Sequence, residues 1–286
     1  MPNSKTLKSV VITGASSGIG RACALHMDRL GWQVFAGVRK ESDEISLRAE
    51  GSDRLIPLML DVTDARSIQD AREVVRSMQG GAGLSGLVNN AGLPSGGPVE
   101  FLALDDVRRR FDVNFFGVIA VTQAFLPLLR LAQGRIVNMS SVSGMVAAPF
   151  VSPYSTSKFA LEALTDALRV ELHPWHIDVC SIQPGAIDTP IWEKSGDFLR
   201  RLIDSYPPEA RDLYGGAISG MQPRFVPHGI PADSVAKAVA HALTSPHPKT
   251  RYRVGLDSVF VSIFRLLPDR LRDRIVLSQL PKWGLM

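Results

Sequence analysis

The sequence predicts an α/β protein built on a doubly wound parallel sheet with helices on both faces. Three observations predict it. Short runs of Val, Ile and Leu without polar alternation recur along the chain, as strands covered on both faces require. Helical patterns separate those runs in regular alternation. A glycine-rich turn, Thr13-Gly14-Ala15-Ser16-Ser17-Gly18-Ile19-Gly20, joins the first run to the first helix.

The elements follow in order. Leu7 to Thr13 reads as a buried strand and Ile19 to Leu30 as the helix after the turn. Strands are expected over Gln33 to Val38 and Leu55 to Leu60, then a helix over Ala65 to Met78 and a strand over Gly86 to Asn89. A long helix spans Leu104 to Leu131, followed by a strand over Arg135 to Met139, a helix over Ser155 to Leu172 and a strand over Ile177 to Ile182. Two stretches break the rhythm. Residues 187–230 are rich in Pro, Gly and aromatics without a clean period, and read as a substrate-covering loop with short helices. A strand-like Arg251 to Gly255 precedes a tail, residues 257–286, that is amphipathic, carries five cations and breaks at Pro268. The division expected is a single domain over residues 1–256, bearing the loop as an insertion, and a C-terminal helical extension over residues 257–286.

Composition narrows the class. The chain has 286 residues, 45% hydrophobic and 21% charged, with a formal net charge of +4. Those values fit a soluble protein with a sizeable core. The one dense basic run, Arg108-Arg109-Arg110, lies beside Asp105, Asp106 and Asp112 and reads as the solvated side of a helix, so nucleic acid is not an expected partner. The two cysteines, Cys23 and Cys180, form no CxxC motif or metal-ligand spacing. No metal site is expected, and a reducing, cytoplasmic setting is. The strand-like run from Leu7 leaves no room ahead of it for a secretory signal.

The glycine turn carries the first chemistry. Glycines let a phosphate approach the backbone closely, and the helix N-terminus behind them offers free N–H groups and a favourable dipole. Gly14-Ala15-Ser16-Ser17-Gly18 also fits the GxSxG elbow of serine hydrolases. That reading would place the elbow on the first strand and leave the later motifs unexplained. The second strand ends at Val38-Arg39-Lys40. A carboxylate there would hold a ribose 2′-hydroxyl, whereas a cation accommodates a 2′-phosphate. Two cations and no acid predict NADP(H) over NAD(H).

These motifs, with Asp61-Val62, Asn89-Asn90-Ala91-Gly92, Asn114, the serines of VNMSS (137–141), YSTSK (154–158) and PGAIDT (184–189), resemble the short-chain dehydrogenase/reductase family. The likeness runs from about Lys8 to Thr189 and more weakly to Gly255, and implies a Rossmann-type fold. VFAGVRK, LDVTD and the basic tail look most like its retinol and hydroxysteroid dehydrogenase branch. The resemblance implies that Gly14, Ser16, Ser17, Gly18, Ile19 and Gly20 meet the pyrophosphate, with Arg39 and Lys40 at the 2′-phosphate. It puts Asp61 and Val62 at the adenine and Asn90, Ala91 and Gly92 beside the adenosine ribose. Pro184, Gly185, Ile187 and Thr189 would hold the nicotinamide end, and Tyr154 and Lys158 would also touch the cofactor.

The catalytic set expected is Asn114, Ser141, Tyr154 and Lys158. Tyr154 and Lys158 are four apart and share a helix face. An ammonium beside a phenol favours the phenolate and lowers its pKa towards useful proton transfer. Ser141, at a strand end 13 residues before Tyr154, can hydrogen-bond a substrate oxygen, and family position selects it over Ser140. Asn114 is a polar amide within an apolar helical run and needs partners; the resemblance assigns it to support of Lys158. The implied reaction interconverts a carbonyl and an alcohol by hydride transfer. Apolar groups in the loop, including Ile191, Trp192, Phe198, Tyr206, Leu213, Tyr214 and Phe225, point to a hydrophobic steroid-, retinoid- or long-chain-like substrate. Homodimers or homotetramers are expected, with the tail packing on its own core or at an oligomer interface ahead of covering the pocket or touching a membrane. The rival from another class is a non-catalytic NADP(H)-binding regulator, which would not need all four catalytic residues.

Overall fold

The computed structural model describes residues 7–188, 206–221 and 229–278. Seven parallel strands form one sheet in the order β3-β2-β1-β4-β5-β6-β9. They are β1 (Ser9–Ile12), β2 (Gln33–Val38), β3 (Leu55–Met59), β4 (Gly86–Asn89), β5 (Arg135–Met139), β6 (Asp178–Pro184) and β9 (Arg251–Val254). A parallel two-residue pair, β7 (Ile187–Asp188) with β8 (Ile230–Pro231), lies apart from it. The strand order reverses between β1 and β4, so the carboxyl ends of those strands open the crevice where such sheets bind ligands.

Both faces of the sheet are covered, which is why the strands read as unbroken apolar runs. Val10, Ile12, Val34 and Ala36 pack on one side with Ala24 and Met27 of α1 (Gly18–Arg29) and with Val235, Val239 and Leu243 of α8 (Ala232–Thr244). Val11, Phe35, Leu87 and Ile136 pack on the other with Ile68 and Val75 of α3 (Ala65–Gln79) and Val121, Phe125 and Leu129 of α5 (Gly117–Ala132). Phe35 and Phe125 are fully buried, and burial of a side chain of that size stabilises by about 1.5–3 kcal/mol.

The long helix is one continuous stretch over Leu104–Ala132, interrupted by a π-helical turn, Asp112–Phe116, between α4 (Leu104–Phe111) and α5. It is the one stretch among the described residues long and apolar enough to cross a membrane, but its Val118, Val121, Phe125 and Leu129 lie in the core. α2 (Glu41–Glu50), which the sequence did not announce, buries Leu47 and little else. α6 (Ser152–Glu171) begins three residues before the expected start, so Tyr154 and Lys158 both lie on it.

The reading of Arg108-Arg109-Arg110 as a solvated face needs one correction. Arg108 and Arg109 pair at the surface with Asp105 and Asp106. Arg110 is buried and donates to the Pro94 and Asp106 carbonyl oxygens, because the chain leaving β4 turns back over α4 and its carbonyls need donors.

In the insertion, α7 (Pro208–Met221) sits between β7 and β8. The aromatics Tyr206 and Tyr214 pack against Phe101, and Tyr214 also meets Phe150, so they fasten this segment to the domain. Ile191, Trp192, Phe198 and Phe225 lie outside the described residues. The extension breaks at Pro268 as expected, into α9 (Leu256–Phe264) and α10 (Asp269–Leu277). In α9 the polar side faces inward. Ser258 and Ser262 are buried, while Leu256, Phe260 and Ile263 are exposed.

Candidate active site

The carboxyl ends of the strands border one cavity of about 640 Å³. The turn after β1 forms one end. Gly14 has φ +65°, a left-handed backbone that glycine adopts without strain, and a Cβ added there would lie 2.8 Å from the Ala91 Cα. A Cβ on Gly20 would meet the Gly14 carbonyl oxygen at 2.2 Å, so neither of these glycines tolerates a side chain. Ser17, the N-cap of α1, makes no side-chain capping bond, and the first helical turn contains no acid. The N-terminal N–H groups of α1 thus face the cavity with nothing anionic beside them, an arrangement that suits a phosphate.

A residue that motif reading passed over sets this geometry. The Thr13 hydroxyl accepts from the Asn90 and Ala91 backbone N–H groups at 2.9 and 3.0 Å. The Asn90 side chain donates back to the Thr13 and Gly14 carbonyls at 3.0 and 3.1 Å. The glycine turn and the Asn89–Gly92 segment are therefore one unit. Asn89 serves the sheet instead, donating to Thr122 and Asn138 in the buried interior.

At the far side of β2, Arg39 and Asp61 line the cavity, and Lys40 does not. Lys40 is the exposed N-cap of α2. Burial works to raise the Asp61 carboxyl, but the Thr63 hydroxyl and amide and the Arg39 guanidinium hold it below its ordinary range. Ser16, Gly18, Ile19, Val62, Asn90, Ala91, Gly92, Pro184, Gly185 and Ile187 border the same cavity, and Thr189 lies outside the described residues. A cavity with a glycine-rich turn and helix N-terminus at one end and a guanidinium beyond β2 suits a nicotinamide dinucleotide.

Ser141, Tyr154 and Lys158 converge on the opposite wall. Ser141 caps a short 3₁₀ turn after β5, its hydroxyl accepting from the Ser143 N–H at 3.1 Å. Burial raises the Tyr154 phenol above its ordinary range, and a hydrogen bond with Ser141 works against that shift. The expected lowering by Lys158 is not what the structure shows. The Lys158 Nζ donates to the Met139 carbonyl at 2.8 Å and lies 5.6 Å from the centre of the Tyr154 ring. Burial brings the Lys158 ammonium down to about 8, against the opposing charge of Glu162.

Asn114 is fully buried in the π-helical turn. Its oxygen accepts from the Leu93 N–H at 2.7 Å, and its amide donates to the Leu93 carbonyl at 3.0 Å and to the Ser157 hydroxyl at 3.1 Å. It thus clamps the loop after Gly92 to α6, beside Lys158. The wall also holds Phe150, whose φ of +64° is unusual for a bulky residue and which no sequence pattern announced. Among the described residues no histidine borders the cavity, so the hydrolase reading finds no base next to Ser16.

The parallel sheet with its reversal at β1 and β4, and the glycine turn opening on that crevice, define a Rossmann-type nucleotide-binding protein. Comparison with known proteins narrows the class. The short chain dehydrogenase family matches residues 8–199. The chain is 39% identical to 17-beta-hydroxysteroid dehydrogenase type 6 of Bos taurus, over 96% of this chain and 89% of that protein. It is 38% identical to retinol dehydrogenase 5 of Mus musculus, with the same coverage of both. A short-chain dehydrogenase from Streptomyces avermitilis superposes with a TM-score of 0.78 at 27% identity, over 99% of this chain and all of that one. The chain belongs to the short-chain dehydrogenase/reductase family of oxidoreductases, in the retinol and hydroxysteroid dehydrogenase branch.

Proposed function

We propose that this protein is an NADP(H)-dependent oxidoreductase that interconverts a carbonyl and a primary or secondary alcohol on a hydrophobic substrate, with Tyr154 as general acid and base. One observation carries the reading: Ser141, Tyr154 and Lys158 border the same cavity as the glycine turn and Arg39. Bound there, the cofactor supplies or accepts the hydride. The chain's own residues do the rest. The Tyr154 hydroxyl gives its proton to the substrate oxygen in reduction and takes it back in oxidation. Ser141 donates a hydrogen bond to the same oxygen. Lys158, held at the Met139 carbonyl, supplies positive charge beneath the phenol, and Asn114 fixes the loop that borders it.

The preference for NADP(H) rests on Arg39 and on the apolar Val38 where an acid would favour NAD(H). The hydrophobic substrate rests on the apolar wall of Leu93, Val113, Met139, Val142 and Phe150, and on the steroid and retinol names of the relatives. Steroid, retinoid and long-chain carbonyl compounds form the test panel. Loss of NADPH absorbance with a hydrophobic aldehyde or ketone is expected, and no turnover across the panel would favour a non-catalytic NADP(H)-binding regulator.

The exposed apolar side of α9 supports a contact between the extension and a second surface, a further copy of the chain ahead of a lipid face. Sedimentation of a chain cut after Asp257, with and without liposomes, separates the two.

A further inference from the structure

Asp257, on the first turn of α9, is far from the motifs in sequence but borders the cavity beside Gly185, Ala186 and Ile187. One carboxylate oxygen accepts from the Ala186 N–H at 2.5 Å and the other from the Ser258 N–H at 2.9 Å. The carboxylate lies so close to the Gly185 Cα that a Cβ there would come within 2.1 Å of its carbon. Two more bonds fasten the same junction. The Ser258 hydroxyl donates to the Gln183 carbonyl at 2.7 Å, and the Gly185 N–H donates to the Val254 carbonyl at 2.9 Å. The turn leaving β6 is thus held from outside by the start of the extension, and Asp257 is the only charged group in that clasp among the described residues.

We propose that Asp257 is a positioning residue that fixes the Gly185–Ile187 turn at the nicotinamide end of the cavity. This rests on the dinucleotide reading of the site. A bond to a charged acceptor is the stronger kind, and its loss frees the Ala186 amide and lets the turn withdraw from the cavity. The glycine turn and Arg39, at the other end, are untouched.

The test compares two ligands that share every group except the nicotinamide: NADPH and 2′-phospho-ADP-ribose, with NADH and ADP-ribose in parallel. Their dissociation constants are measured by calorimetry for the wild type, Asp257→Ala and the near-isosteric Asp257→Asn. Asp257→Ala is expected to weaken the dinucleotide about tenfold or more while changing the fragment less than about twofold. Asp257→Asn, which keeps one acceptor oxygen, is expected to lie between. Amide exchange at Ala186 in the ligand-free protein is expected to accelerate in Asp257→Ala. Equal weakening of both ligands, or of neither, overturns the role of Asp257 and leaves the site reading standing. A wild type that binds neither pair overturns both.

Discussion

Tyr154 and Lys158 lie one turn apart on α6, yet the Lys158 Nζ is spent on the Met139 carbonyl at 2.8 Å and stands 5.6 Å from the tyrosine ring centre. The pair is thus arranged with the ammonium beneath the ring and the phenol hydroxyl towards Ser141. With Tyr154 as the proposed proton carrier, this arrangement predicts a clean separation of binding from chemistry. Tyr154→Phe is expected to bind NADPH within a few-fold of the wild type and to lose about 10²–10⁴-fold in kcat. Calorimetry and steady-state rates on the same preparation check it, and near-normal turnover would remove Tyr154 from the mechanism.

Lys158 also makes a prediction about stability. Its ammonium, ordinarily near 10.5, is brought down to about 8 by burial. Between those values the unfolded chain binds more protons than the folded one, so stability rises with pH across that window. Below about pH 8 the whole cost of burying the charge is present. Lys158→Met removes the charge at the expense of leaving the Met139 carbonyl without its donor. The net expectation is a ligand-free protein more stable than the wild type at pH 7, by about 1 kcal/mol, with the advantage shrinking as pH approaches 10. Denaturant unfolding at both pH values measures it, and a variant less stable at pH 7 would contradict the sign.

The cofactor prediction turns on Arg39. It borders the cavity and acts on the Asp61 carboxylate, whereas Lys40 stands outside as the N-cap of α2. Arg39→Ala is expected to raise the KM for NADPH about tenfold or more while leaving that for NADH nearly unchanged. Lys40→Ala is expected to change neither by more than about twofold. A wild type that prefers NADH would defeat the assignment.

The central sheet was legible because its inner strands present apolar groups to both faces. Val10 and Ile12 go to one core, Val11 to the other. The glycine turn was legible for a similarly local reason: its whole motif lies within eight consecutive residues, although the crowding at Gly14 comes from the distant Ala91. What escaped the sequence depends on partners distant in the chain. α2 buries only Leu47, too little to mark a period. Arg110 sits in a basic run and is buried because Pro94 offers it a carbonyl. Thr13 reads as the end of a strand until Asn90 and Ala91 are placed against it. Asp257 meets Ala186 across 71 residues, and nothing in its own neighbourhood marks it.

Glu162, one turn beyond Lys158, yields the last prediction. It is buried on α6, accepting from the Ser181 hydroxyl at 2.6 Å and from the Arg251 Nε at 3.0 Å, while Arg251 also grips Asp166. Its negative charge is what opposes the burial of the Lys158 ammonium. Glu162→Gln keeps the shape and removes that charge, so the Lys158 pKa is expected to fall below about 8. If the reaction needs the ammonium, the alkaline limb of kcat moves to lower pH, and the loss is largest at pH 8 and smallest at pH 6. A purely structural effect would lower activity by the same factor at every pH. The pH profile of kcat, taken alongside thermal unfolding to show that Arg251 still holds through Asp166, separates the two outcomes.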